Sequence, residues 1–132
     1  MSTTVACEQI NKEEDLKPIV VYNPDQSIIM LVADGHAGSD CIQIIEKNAK
    51  TICNNANVGT EQAILEAVRL CSQSASGAMI LCAKKYNTST GSRLQVSSMG
   101  DCACFVFDSN GVLIFEQELH SNLTANSKNI DH

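Results

Sequence analysis

The apolar residues of this chain fall in short runs of strand length, interrupted by two stretches of helical period. Ile19-Val20-Val21-Tyr22 is β-branched, and Ile28 to Ala33 contains no polar residue. Asn23-Pro24-Asp25 between them is a turn signal, because proline fixes φ. The pair predicts a hairpin whose second strand is buried on both faces. Asp34-Gly35-His36-Ala37-Gly38 breaks that strand, and Ser39 or Asp40 can cap a helix. Cys41, Ile45, Ala49, Ile52 and Ala56 recur at three- and four-residue steps, which predicts one helical face ending at Asn54 to Gly59. Thr60 is the expected cap of a second helix, with Ile64, Ala67, Val68 and Cys71 as its apolar stripe.

Beyond Ser76-Gly77 the period changes again. Ala78 to Ala83 reads as a buried strand, Lys84 to Ser92 as a polar loop, and Leu94-Gln95-Val96-Ser97 as a half-buried strand. Cys104 to Phe107 and Val112 to Phe115 form a second hairpin around the turn Asp108-Ser109-Asn110-Gly111. The polar tail, Leu119 to His132, reads as loop. Strand pair, helix pair and antiparallel meander together predict an α+β fold, with the helices grouped on one side of antiparallel β-sheets. The whole of 1–132 is expected to be one domain.

Composition narrows the setting. Nine Lys and Arg against fifteen Asp and Glu give a formal net charge of −6. That balance argues against a nucleic-acid partner. No apolar stretch approaches the roughly 20 residues that span a bilayer, so no membrane segment is expected. Seven cysteines is an odd number, and Cys53, Cys71, Cys82 and Cys104 sit inside apolar runs. They read as buried free thiols of an intracellular, cytoplasmic protein. Cys102-Ala103-Cys104 lacks zinc-site spacing and reads as packing.

The sharpest chemical feature is the end of the second strand. An apolar run delivers Asp34 where a ligand can reach it, Gly35 allows close backbone approach, and His36 is a proton donor suited to neutral pH. The plainer alternative is a turn in which Asp34 caps the helix.

Across most of its length the chain resembles the metal-dependent serine/threonine protein phosphatases of the 2C type. Asp34-Gly35-His36-Ala37-Gly38 is similar to their D-G-H-G-G, and Glu14-Asp15 precedes the first strand as their first acidic motif does. Ser76-Gly77-Ala78, Gly100-Asp101-Cys102, Asn110-Gly111 and Leu123-Thr124 follow in the family's order. The resemblance implies a partial α-β-β-α sandwich, a pair of Mg²⁺ or Mn²⁺ ions and a phosphoserine or phosphothreonine protein substrate. It implies that Asp34 bridges the metals and Gly35 gives them its carbonyl. Asp15 and Glu14 would contact them directly or through water, and His36 would be the general acid.

Three departures lower the activity expected. Ile10 stands where the family has a phosphate-holding Arg, Asn126 replaces an acidic residue, and the family's later metal carboxylates correspond to nothing before His132. The expectation is a weakly active or inactive chain, or a catalytically silent phosphatase-like binding module. An incomplete sandwich also predicts open apolar faces at Ile28 to Ala33, Ala78 to Ala83 and Cys104 to Phe107, and hence a homodimer.

Overall fold

A computed structural model describes residues 17–36, 38–74, 76–100 and 102–116, and residues 120–129 as backbone. The elements are β1 (Ile19–Tyr22), β2 (Ile28–His36), α1 (Asp40–Lys47), α2 (Ala49–Asn55), α3 (Thr60–Cys71), β3 (Gly77–Thr88), β4 (Gly91–Gly100), β5 (Phe105–Phe107), β6 (Leu113–Glu116) and β7 (His120–Asn129). Five strands form one antiparallel sheet in the order β1-β2-β3-β4-β7, and β5 and β6 form a separate two-stranded sheet. The fold is α+β, as the sequence pattern predicts.

Strand alternation builds two cores. On one face Ile29, Leu31 and Ala33 of β2 and Ile80 and Cys82 of β3 pack under the helices, against Ile42, Ile45, Ile52, Ile64 and Ala67. On the other, Leu81, Ala83, Leu94 and Val96 are covered by Cys102, Cys104, Val106 and Phe115, from the β5–β6 hairpin and the segment leading into it. The helices, the five-stranded sheet and the hairpin are thus three successive layers. The runs at Ile28 to Ala33 and Ala78 to Ala83 are covered on both faces, contrary to the expectation that they lie open. Of the three runs expected to lie open, only Cys104 to Phe107 does so in part: Phe105 and Phe107 are exposed, as are Val112 and Leu113 on the same hairpin.

Four further expectations are corrected. First, β2 does not break at Asp34 but continues through His36, because Asp34, Gly35 and His36 pair with Met79, Ala78 and Gly77. Second, the stretch from Cys41 to Ala56 is two helices. Asn48 sits between them at φ −106°, ψ 15°, and its side-chain amide donates to the Ile44 carbonyl at 2.8 Å. An Asn that bonds back one turn competes with the helix backbone and locally unwinds it. Third, Lys84 to Ser92 is not a loop. The strands run out to Thr88 and resume at Gly91, which pair with each other, leaving Ser89 and Thr90 as a two-residue turn. These positions are polar because the hairpin tip projects into water. Fourth, part of the tail is a strand, β7, antiparallel to β4, with Thr124 opposite Ser98 and Asn126 opposite Val96. Its ten residues, HSNLTANSKN, carry no apolar alternation, so pairing with β4 rather than side-chain pattern makes it a strand.

The helix starts are also held differently from expectation. Ser39 occupies the position before α1 but makes no side-chain capping bond. The Cys41 amide instead donates to the Ser76 hydroxyl at 2.8 Å, from 35 residues later in the chain. Gly59 occupies the corresponding position before α3, and Thr60 is its first residue. The Thr60 amide donates to Gln95 Oε1 of β4 at 3.0 Å. Each helix thus takes a cap from tertiary structure, since its first amides have no partner inside the helix.

Candidate functional site

Burial along β2 reverses at its end. Ile28 to Ala33 are buried or half-buried, whereas Asp34 is exposed, Gly35 buried and His36 exposed. Side chains two apart on a strand share a face. Asp34 and His36 therefore lie on the side of Met30 and Val32, the side the hairpin layer covers farther along the sheet.

Three of the motifs read from the sequence converge here. Ser76 holds the start of α1, and the next residue, Gly77, pairs with His36. Gly100 lies against Met79, the strand partner of Asp34. The Cys102 thiol donates to the Met79 carbonyl at 3.4 Å. Gly100 has φ +96°, and a Cβ there would run into the Met79 side chain, with Cγ only 2.7 Å away. Only glycine fits such a position, because positive φ and a close neighbour both exclude a side chain. The sequence order of these motifs gave no sign that Met79 is the point where they meet.

Glu14 and Asp15 lie outside the described residues, as do Ala37 and Asp101. Asn126 is described as backbone only. Of the five residues singled out from the sequence, the structure therefore places Asp34, Gly35 and His36, on consecutive positions of one strand. Among the described residues no group of three or more His, Cys, Asp or Glu is arranged to hold a metal ion. Mg²⁺ and Mn²⁺ are hard ions that take about six oxygens. The Asp34 carboxylate and the Gly35 carbonyl do not by themselves fit the metal pair that the resemblance implies.

Cys53, Cys82 and Cys104 are not candidate nucleophiles. Cys41, Cys53 and Cys82 are buried, and Cys71, Cys102 and Cys104 are half-buried; all six are free. Burial pushes the Cys82 thiol up to about 12, with the Cys53 thiol adding to the effect. Burial also raises Cys53 and Cys104. Nucleophilic cysteine needs the thiolate, so these three protonated thiols are inert. Cys102 and Cys104 pack against Leu81, Ala83, Leu94 and Val96, as their spacing suggests, although residues 102–104 are not a strand. Ser97 and Ser98 are buried, and Ser97 meets a hydroxyl, not a base.

Shallow clefts indent the surface of the described residues. One is lined by Asp40, Gln43, Ile44, Lys47, Gln73 and Ser74, another by residues that include Tyr22, Gln26 and Lys85. Neither is lined by Asp34 or His36. No helix among the described residues is long and apolar enough to cross a membrane. No protein-family model and no curated protein matches the chain.

Proposed function

We propose that this chain is a protein phosphatase 2C-like module that presents one edge of a phosphoester-handling site and has little or no turnover by itself. The observation that carries the reading is the emergence of Asp34 and His36, exposed and on one face, at the end of a strand otherwise enclosed by two cores. The layering of helices, sheet and second sheet is what a partial α-β-β-α sandwich requires. Asp34 offers anionic oxygens to a hydrated Mg²⁺ or Mn²⁺. His36, two residues on, offers a proton donor on the same side, roughly 7 Å away along the strand. A single carboxylate and a carbonyl leave most of the ion's shell to water, so binding is weak. A phosphoserine or phosphothreonine peptide is the substrate class to assay.

The test is calorimetric titration with Mn²⁺ alongside phosphate release from a phosphothreonine peptide. Millimolar binding that disappears in Asp34→Asn, with negligible turnover, is the expected result. Robust turnover abolished by Asp34→Ala overturns the low activity. Tight binding indifferent to Asp34→Asn overturns the site.

A second reading, a silent binding module, is favoured by the outer face of the hairpin. Phe105 and Phe107, two of the chain's three phenylalanines, are 51% and 58% exposed. With Val112 and Leu113 they form a patch of roughly 400 Å², the size of an ordinary functional patch. A stable dimer needs roughly 800 Å² from each partner. Self-association through this face is therefore weak and concentration-dependent, and sedimentation equilibrium of Phe105→Ser/Phe107→Ser against the parent chain reads it directly.

A further inference from the structure

Cys41 is the second residue of α1 and Cys71 the last of α3, thirty residues later in the chain. The Cys71 thiol is turned toward the first turn of α1 and reaches the Cys41 carbonyl at 3.7 Å. This contact sets the Cys71 sulfur against the Cys41 residue from a different element, the neighbourhood a disulfide requires. Access at Cys71 separates this pair from the other neighbouring thiols, although Cys41 itself is only 3% exposed. Cys53 and Cys82 are 3% and 0% exposed inside the helix-side core. Cys71 is only half-buried. Asp40, beside Cys41, and Gln73 and Ser74, just beyond Cys71, line an open groove next to the pair, although neither cysteine lines it.

We propose that Cys41 and Cys71 form a reversible disulfide that ties the N-terminus of α1 to the C-terminus of α3. The oxidant is a low-molecular-weight disulfide such as oxidised glutathione. The Cys71 sulfur, as thiolate, attacks one glutathione sulfur, forming a mixed disulfide and expelling the other glutathione as thiolate. The Cys41 sulfur, having lost its proton to solvent, then attacks Cys71 Sγ and expels the second glutathione. Two thiols are oxidised, one disulfide is reduced, and two protons leave the protein. Burial and the Cys41 thiol hold Cys71 up to about 12, so the reaction is slow and the dithiol persists until oxidant is in excess. Closure would fix the start of α1, which follows Asp34 to His36 by a few residues, to Cys71 near the Ser76 contact. The bridge is independent of what Asp34 binds.

The experiment is incubation of the whole chain with excess oxidised glutathione, alkylation of the remaining thiols, and peptide mapping. The expected result is one intramolecular Cys41–Cys71 bridge, reversed by dithiothreitol, with a rise in melting temperature of roughly 5–10 °C. Cys41→Ser and Cys71→Ser should each abolish both changes. Mapping of the unsubstituted chain stands alone should a variant fail to fold. Alkylation of both cysteines after oxidation, a stable glutathione adduct on Cys71 without closure, or pairing of either with another cysteine overturns the proposal.

Discussion

The hydroxyls of Thr60 and Ser97 meet at 2.6 Å in the protein interior, joining the start of α3 to the middle of β4 across 37 residues of sequence. Both residues are fully buried. With the Thr60 amide on Gln95, they dock the helix to the sheet at one point.

Removing one hydroxyl strands the other without water. Thr60→Val or Ser97→Ala should each destabilise the chain by about 1–3 kcal/mol. The double variant should cost less than the sum, because no orphaned hydroxyl remains. Urea denaturation of the four proteins gives the coupling. Additive losses would mean that the two hydroxyls are not partners.

Gly100 makes a sharper prediction. Gly100→Ala meets both a left-handed backbone and the Met79 side chain, and should cost roughly 3 kcal/mol. Adding Met79→Ala should recover only part of the steric share, because the Met79 Cβ alone would lie 2.8 Å from the new Cβ, and should leave the backbone share. An unchanged melting temperature in Gly100→Ala would show that Met79 does not lie against this turn.

Stability should also fall at high pH through the buried thiols. Cys82 ionises near 9.0 when unfolded and is held up to about 12 in the fold. Below the first value both states are protonated and the thiol contributes no pH dependence. Between the two, the unfolded chain has released a proton that the folded chain keeps, so rising pH favours unfolding. The slope from this one thiol is at most about 1.4 kcal/mol per pH unit. Denaturation from about pH 8 to about pH 10.5 should be shallower in Cys82→Ala than in the parent chain. Parallel curves would rule out the buried thiol as the cause.

The sequence by itself determined the elements whose side chains face a core. Ile28 to Ala33, the stripes of the helices apart from Val68, which is exposed, and the Asp108–Gly111 hairpin were legible because burial imposes a period of 2 or 3.6 on apolar residues. It also singled out Asp34 and His36, since polar residues ending an apolar strand break that pattern. What lacks such a period only the tertiary structure decided. β7 is a strand because β4 offers its backbone hydrogen bonds, not because of its side chains. Asn87 and Thr88 are strand residues because their register continues from the buried part of β3. The caps of α1 and α3 come from Ser76 and Gln95, 35 residues away in each case, where local propensity cannot see them. The meeting of Asp34, Met79, Gly100 and Cys102 at one end of the sheet follows from strand register and chain crossing. Those are long-range pairings that no window of sequence encodes, because the partners become neighbours only once the sheet has formed.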